Sequence, residues 1–354
     1  MQNRKLRVGI AGYGTVGKIR HRFAKEHPQL NVVAVCDQTF SKLHERHQEA
    51  QCFSSYKQLL EVPLDVLFVC LPNYLSPEVT IAGLEKGLHV FCEKPPGRDL
   101  KDIVNVMACE KHYPKQKLMF GFNHRYHHSI QDALRIIESG GLGKVMNMRG
   151  IYGKSKIIRF DSDWRTKRHL AGGGILLDQG IHLVDMMRLF AGEFSEISSF
   201  ISNYFWKHDV EDDAYALMRT PTGVVAMLHS SATQWRHRFQ LDITLTKGAI
   251  VLSGILSSTK SYGAETMTVV YAEENDEGDP REHMTRYNKD HSWKREIFDF
   301  AEVVLNDKPV TYGSSEEAFK TMELVYRIYC ADLEWKSKYN LTSQISQAML
   351  EEIL

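Results

Sequence analysis

The chain has 354 residues, 43% of them hydrophobic and 25% charged, which is the balance of a globular protein long enough for two domains. Lys plus Arg equals Asp plus Glu at 44 each, so no global field favours DNA, RNA or an acidic membrane surface. The basic start runs into glycines after a short apolar stretch, and no segment reaches the roughly 18 to 20 apolar residues of a membrane span, so neither a signal peptide nor an anchor is expected.

In chain order, the first third alternates short apolar runs with helical patterns. Strands are expected at 6–11, 31–36, 66–71, 88–92 and 118–121, with helices at 16–26, 77–86 and 100–111. Continuous apolar strands, each followed by a helix, predict a doubly wound parallel sheet covered on both faces. After Asn123 the texture changes. A helix over 127–139 stops at Gly140-Gly141, and longer alternating strands follow at 145–153, 197–205, 214–219, 224–231, 240–246 and 268–271. This half reads as an α+β domain with a large, mainly antiparallel sheet, helices on one face, and one long helix over 316–336. The expected division is a dinucleotide-binding domain over 1–123 and a domain for substrate and self-association over 124–354. The six cysteines form no C-x-x-C pair, which fits a reducing cytoplasm.

Gly12-Tyr13-Gly14-Thr15-Val16-Gly17 matches G-x-G-x-x-G between an expected strand and an expected helix. The first glycine allows the tight turn, the second lets backbone approach a pyrophosphate, and the third lets helix and strand pack closely. Free N–H groups at the helix start favour phosphate. Asp37, 25 residues past Gly12, is placed to accept ribose hydroxyls and repel a 2′-phosphate, so NAD is expected over NADP.

Two further segments carry chemistry. One is Glu93-Lys94-Pro95, after the strand ending in Cys92. The other runs from Gly172-Gly173-Gly174 through Asp178, His182 and Asp185. On a helix these last three would share a face. Hydride transfer at a carbinol carbon needs a group to take or give the hydroxyl proton, which His182 or Lys94 can do. Lys94 stands at the carboxyl edge of the expected parallel sheet, and His182 is expected to close the site from the second domain.

Several charged runs remain. Lys154, Lys156, Arg159, Arg165, Lys167 and Arg168 surround Trp164 and suit either an anionic group on a substrate or a solvated loop. Trp235-Arg236-His237-Arg238 suits a sugar pocket or an oligomer face. The histidines at 124, 127 and 128 lack metal-ligand spacing, so no metal is expected. Asp209, Glu211, Asp212 and Asp213 read as a solvated loop or a contact between subunits.

The segments GYGTVG, Asp37, CEKP, GFNHRY and GGGILLDQGIHLVD together resemble the Gfo/Idh/MocA (glucose–fructose oxidoreductase/inositol dehydrogenase) family, in order and spacing over the whole chain. The resemblance implies an NAD-dependent oxidoreductase acting on a carbohydrate-like small molecule. Lys94, Asp178 and His182 would be its catalytic group. Cofactor contacts would extend to Leu71, Pro72, Asn73, Glu93 and Lys94, and Asn123, Arg125, Trp164, Arg165 and Lys154 would line the substrate. Members resembling this chain act in surface-polysaccharide and nucleotide-sugar synthesis, which points to a phosphorylated or nucleotide-linked sugar. A homodimer or homotetramer through the second-domain sheet is also implied. One departure stands out: Ser76 occupies the place of the histidine in the family's P-N-x-x-H. The resemblance leaves open an NAD-dependent glycosidase or an NAD-binding regulator of the same fold.

Overall fold

The computed structural model describes residues 4–40, 46–47, 49–155, 163–257, 261–272 and 278–345. The elements in chain order begin β1 (Leu6–Ala11), α1 (Thr15–Glu26), β2 (Leu30–Cys36), β3 (Arg46–His47), β4 (Ala50–Phe53), α2 (Tyr56–Leu59), β5 (Val66–Val69), α3 (Ser76–Glu85), β6 (His89–Glu93), α4 (Leu100–His112) and β7 (Leu118–Gly121). There follow α5 (His128–Glu138), β8 (Val145–Ser155), α6 (Arg168–Ala171), α7 (Ile181–Ala191), β9 (Glu196–Ser202), β10 (Asp213–Arg219), β11 (Val225–Gln234), β12 (Arg238–Leu245), β13 (Gly248–Ser253), β14 (Glu265–Tyr271) and β15 (Arg281–Tyr287). The chain closes with α8 (Ser292–Leu305), α9 (Ser315–Ala331) and α10 (Leu333–Tyr339).

Contacts divide the chain into two units. The first holds Met1–Asn123 and Trp293–Lys320, and the second holds His124–Ser292 and Thr321–Ser343. The first unit's sheet runs β3-β4-β2-β1-β5-β6-β7, parallel throughout except for β3 against β4 at the edge. Strand order reverses direction at β1, where ligands of open parallel sheets bind beyond the carboxyl ends. The strands are apolar on both faces, as burial by helices on each side requires, and Val66–Val69 is wholly buried.

The first unit's core explains why a late helix belongs to it. Phe68, Phe91 and Phe300 pack edge to face at 5.6 to 6.1 Å, and Ile297 and Ala301 of α8 are buried beside them in sequence. Sequence reading placed this helix with the second domain, because nothing local in 293–305 names the sheet it covers. A buried charge cluster adds to the tie. The guanidinium of Arg20 on α1 has no exposure; its Nε lies 2.6 Å from Glu93 Oε1 and its Nη1 2.7 Å from Glu296 Oε2. Phe91 and Trp293 cover its two faces at 4.5 and 4.4 Å.

In the second unit the order is β15-β14-β13-β12-β8-β11-β10-β9, antiparallel except where β8 runs parallel to β11. Alternate residues such as Met148, Leu228, Leu241 and Ile250 are buried on one face, while Tyr215, Leu217 and Met227 stand 48%, 49% and 39% exposed on the other. The expected helix over 316–336 is in fact two. Asp332 breaks it, because its carboxylate accepts Trp335 N as an N-cap and also Ile201 N at 2.7 Å. The strand expected over 197–205 ends at Ser202, where Asp212 draws in the N–H groups of Phe205 and Trp206.

Burial pushes the Glu296 carboxyl up to about 8, with Arg20 opposing and Glu93 adding to the rise. Its stabilisation is therefore full below the ordinary carboxyl value of 4.5 and is lost as pH climbs through about 8. Denaturant titrations of Glu296→Gln should lack the decline in stability that the unaltered protein shows across that window. Arg20→Met, which strands two buried carboxyls, should cost about 3–5 kcal/mol.

Candidate active site

The loop after β1 is built for something to lie against it. Gly12 sits at φ +91°, and a Cβ there would meet the carbonyl oxygen of Cys70 at 2.2 Å, so the loop presses on the end of β5. A Cβ on Gly17 would meet Gly12 O at 2.0 Å, fixing the contact between α1 and β1. Gly14 is different, because a Cβ there would meet nothing within 4 Å. Packing does not require glycine at 14, and the bare backbone there is open to an approaching ligand. Gly14 also begins α1 with no side-chain cap, leaving the first N–H groups of Thr15, Val16 and Gly17 to an external acceptor. These residues fit a pyrophosphate.

Tyr13 turns inward instead. Its ring is 4% exposed, its hydroxyl lies 2.6 Å from His21 Nδ1, and its N–H donates to Asp37 Oδ2 at 3.0 Å. Asp37 ends the next strand and also accepts from the N–H and hydroxyl of Thr39 at 3.0 and 2.7 Å. Burial alone would raise its pKa, but the donors of Thr39 and Tyr13, with Lys18 nearby, hold it below the ordinary value. A half-exposed, ionised carboxylate thus stands one strand from the glycine turn. Leu71 and Pro72 follow β5 half-buried, and Asn73 is buried. Ser76 is locked within this turn, donating to the carbonyls of Leu71 and Pro72 at 3.0 and 3.2 Å. Glu93 ends β6 in the Arg20 cluster, and Lys94 follows it, half-buried.

Within the second unit, the three-glycine segment is clamped by a buried acid. Glu211, 1% exposed, accepts the N–H groups of Gly174 and Leu176 at 2.8 and 3.0 Å and the Tyr329 hydroxyl at 2.6 Å. A Cβ on Gly174 would meet Glu211 O at 2.0 Å, so bare backbone is required there. The acidic stretch is thus not a solvated loop: Glu211 and Asp212 are both internal hydrogen-bond acceptors. No spacing rule could have found Glu211, since its partners lie 35 or more residues away.

The clamped segment enters a π-helical turn, Leu176–Gly180, before α7 begins. The regular helix expected from Asp178 to Asp185 is therefore interrupted, and the three side chains take different environments. Asp185 is fully buried and paired with both arms of Arg125 at 2.6 and 2.7 Å, with the Thr321 hydroxyl at 3.1 Å. Arg125, expected against substrate, is committed to that pair. His182 is 5% exposed and stacks on His124, ring centres 3.7 Å apart and planes 13° from parallel. His124 Nε2 lies 3.0 Å from the Tyr152 hydroxyl, and Tyr152 meets Tyr262 edge to face at 5.2 Å. Tyr262 donates to Gln179 Oε1 at 2.8 Å. Burial raises both phenols, and the nearby Asp178 charge adds to the rise, so they are neutral donors. Asp178 remains about one-third exposed, with Arg165 Nε 3.9 Å away.

Asp178, Gln179, His182, His124, Tyr152 and Tyr262 therefore form one polar, aromatic-walled cluster, of which sequence reading named two members for chemistry. Arg165 stacks on Trp164 at 4.4 Å and also contacts Asp163. Arg168 serves the fold: it bonds Asp209 and Gly172 O and covers Tyr339. Lys154 is half-buried and Asn123 is 5% exposed, whereas Lys156 and Arg159 lie outside the described residues. His127 is engaged by Glu265 at 2.9 Å.

A bare glycine turn at a helix start, an ionised acid at the end of the next strand and a histidine-bearing cluster are the features of a nicotinamide-dependent oxidoreductase. Residues 6–122 match the oxidoreductase family with an NAD-binding Rossmann fold, and residues 130–251 match the GFO/IDH/MocA C-terminal domain. The chain belongs to the GFO/IDH/MocA oxidoreductase family, and its cofactor is NAD. It is 26% identical over 295 residues to levoglucosan dehydrogenase of Pseudarthrobacter phenanthrenivorans, covering 72% of this chain and 74% of that one. It is 31% identical over 219 residues to D-glucoside 3-dehydrogenase of Escherichia coli, covering 58% and 60%. Myo-inositol 2-dehydrogenase of Thermotoga maritima is 25% identical over 287 residues, covering 77% and 80%. The structure of levoglucosan dehydrogenase with NADH shares the fold, with TM-score 0.81 at 20% identity over 94% of this chain and 98% of that one.

Gly14→Ala should separate ligand from fold. Its stability to denaturant should change by about 1 kcal/mol or less, while the Kd for NADH, read by nicotinamide fluorescence, should rise about tenfold or more.

Proposed function

We propose that this protein moves a hydride between NAD and a carbinol or carbonyl carbon of a cyclic polyhydroxy compound, a sugar or cyclitol. The carrying observation is the buried His182, stacked on His124 beside Asp178 in a cluster of neutral donors. Relatives named for levoglucosan, glucosides and inositol support the substrate class, since all three are rings bearing several hydroxyls.

Bound NAD supplies the hydride acceptor. In this reading His182 takes the proton of the reacting hydroxyl, and Lys94 donates a hydrogen bond to that oxygen as negative charge grows on it. Asp178 accepts a neighbouring hydroxyl, with the Arg165 guanidinium 3.9 Å from it. Asp37 selects NAD, because a second phosphate beside an ionised carboxylate would be repelled. The residues of 1–123 bind dinucleotide, and the second unit binds substrate.

The exposed sheet face is assigned to self-association. Tyr215 pairs across strands with Phe200 and His229, and Leu217 with Met227, so apolar side chains form a continuous patch. Phe200 alone is 78% exposed. A second copy meeting this patch makes a dimer, and a further pairing a tetramer. No described helix is long and apolar enough to cross a membrane. The free thiols of Cys36, Cys52 and Cys92, all buried, support a cytoplasmic setting.

Absorbance at 340 nm with NAD and a panel of glycosides, anhydrosugars, inositols, uronates and sugar phosphates tests the chemistry. Lys94→Met and His182→Gln should each lower kcat by about 10²- to 10⁴-fold while NADH still binds; a flat trace from the unaltered protein across the panel would overturn the reading. For the assembly, Leu217→Glu combined with Met227→Lys should convert the species seen by light scattering to a monomer with its thermal transition retained.

A further inference from the structure

The segment Trp235-Arg236-His237-Arg238 finds no role in hydride transfer, yet the fold gives it an unusual position. It joins β11 to β12, but those strands are not neighbours, because β8 lies between them. The connection must therefore arch over the end of β8, where the Ser155 hydroxyl donates to Trp235 O at 3.1 Å. Beneath the arch lies a cavity of about 460 Å³, lined in part by Arg236, His237, Arg238, Gln240, Ser253 and Tyr262. That volume is in the range of small-molecule sites and exceeds what a lone ion needs.

The charge of this cavity is one-sided. Among the described residues its lining includes two arginines and no carboxylate. Acids close in sequence are engaged elsewhere: Asp242 pairs with Arg149 at 2.8 Å, and Glu265 with His127 at 2.9 Å and the Ser129 hydroxyl at 2.6 Å. Arg238 donates to the neutral Gln240 at 3.3 Å, and no described carboxylate pairs with Arg236 or Arg238. Burial, with the positive charge of Lys154 on β8 adding to it, pulls the His237 imidazole below its ordinary value, toward the neutral form. Arg236 and Arg238 are exposed on the wall of a polar hollow, and the planar donor set of a guanidinium suits a carboxylate or a phosphate.

The cavity shares one residue, Tyr262, with the polar cluster of the second unit. Tyr262 forms part of its wall, meets His237 edge to face at 4.6 Å, and donates to Gln179, the residue after Asp178. A ring held beside Asp178 and His182 could thus extend a substituent past Tyr262 into the hollow.

We propose that this cavity is a substrate subsite for an anionic group, so that the preferred substrate is a sugar carrying a carboxylate or a phosphate. The proposal rests on the oxidoreductase reading above for its link to turnover, but not for binding itself. Calorimetry on the NADH-loaded protein tests it with glucose, glucuronate, glucose 6-phosphate and inorganic phosphate. At least one anionic sugar should bind about tenfold or more tighter than glucose, and which one does so identifies the anion. Arg236→Gln with Arg238→Gln should bring that ratio to within about twofold, and Ser253→Asp, which adds a carboxylate to the wall, should do the same by a change of opposite character. Equal affinities, a preference that survives both variants, no sugar binding at all, or binding of inorganic phosphate without any preference among the sugars would each overturn it. If anionic sugars bind with the expected preference but the 340 nm trace stays flat, the oxidoreductase reading fails and the subsite stands. If neutral rings are oxidised with no anionic preference, the subsite fails and the reading stands.

Discussion

One buried guanidinium holds the first unit's working parts in register. Arg20 is rooted in the helix that opens at the glycine turn. It is clasped by Glu93, which immediately precedes Lys94, and by Glu296 of the helix that returns from the far end of the chain. Desolvating such a charge is costly unless its partners are close, and two aromatic faces and two carboxyls meet that demand here. A shift of α1 would therefore drag the end of β6 with it. Cofactor turn and candidate catalytic lysine are coupled by electrostatics inside the unit, whatever occupies its surface.

The second unit uses the same device with the sign reversed. Glu211 is the buried charge, and backbone N–H groups, a phenol and Arg168 surround it. What it holds is again a glycine-rich turn that leads to a residue proposed for chemistry. The π-helical turn that follows carries Asp178, about one-third exposed, and leads into α7 with His182, 5% exposed. Arg125 and Asp185 then fix α7 to the segment carrying His124, so that the stacked imidazoles meet. In both units rigid ionic clamps stand behind the groups that must be positioned, which is how a flexible glycine turn can keep a defined geometry.

These clamps mark the boundary of what was legible in the sequence. The phosphate turn could be read because each glycine answers a local backbone need, and the parallel sheet because its strands are continuously apolar. Lys94, Asp178 and His182 were legible as a motif, but the π-helical register between the last two was not. Arg20 and Glu211 look like solvated residues in their own neighbourhoods, and only partners brought from distant segments reveal otherwise. β15 escaped notice for the opposite reason: Arg281 to Tyr287 is polar and exposed, with no apolar alternation to announce a strand. Residues 293–320, with α8 among them, were placed in the second domain because nothing local in that stretch names the sheet it covers.

The parallel pairing of β8 with β11 carries a consequence for how the molecule comes into being. β8 sits at the centre of its sheet, yet neither neighbour adjoins it along the chain: Asn147 pairs with Val225 and Arg149 with Asp242. Hairpins such as β12–β13 and β10–β11 can close early, because their turns are short. The central strand must instead wait for a long loop to close, and that loop carries the glycine turn, the π-helical turn and α7. The stacked histidines are thus assembled only as the slowest contacts of the sheet are made. A chain that has reached this geometry has, by topology, already completed the rest of that unit.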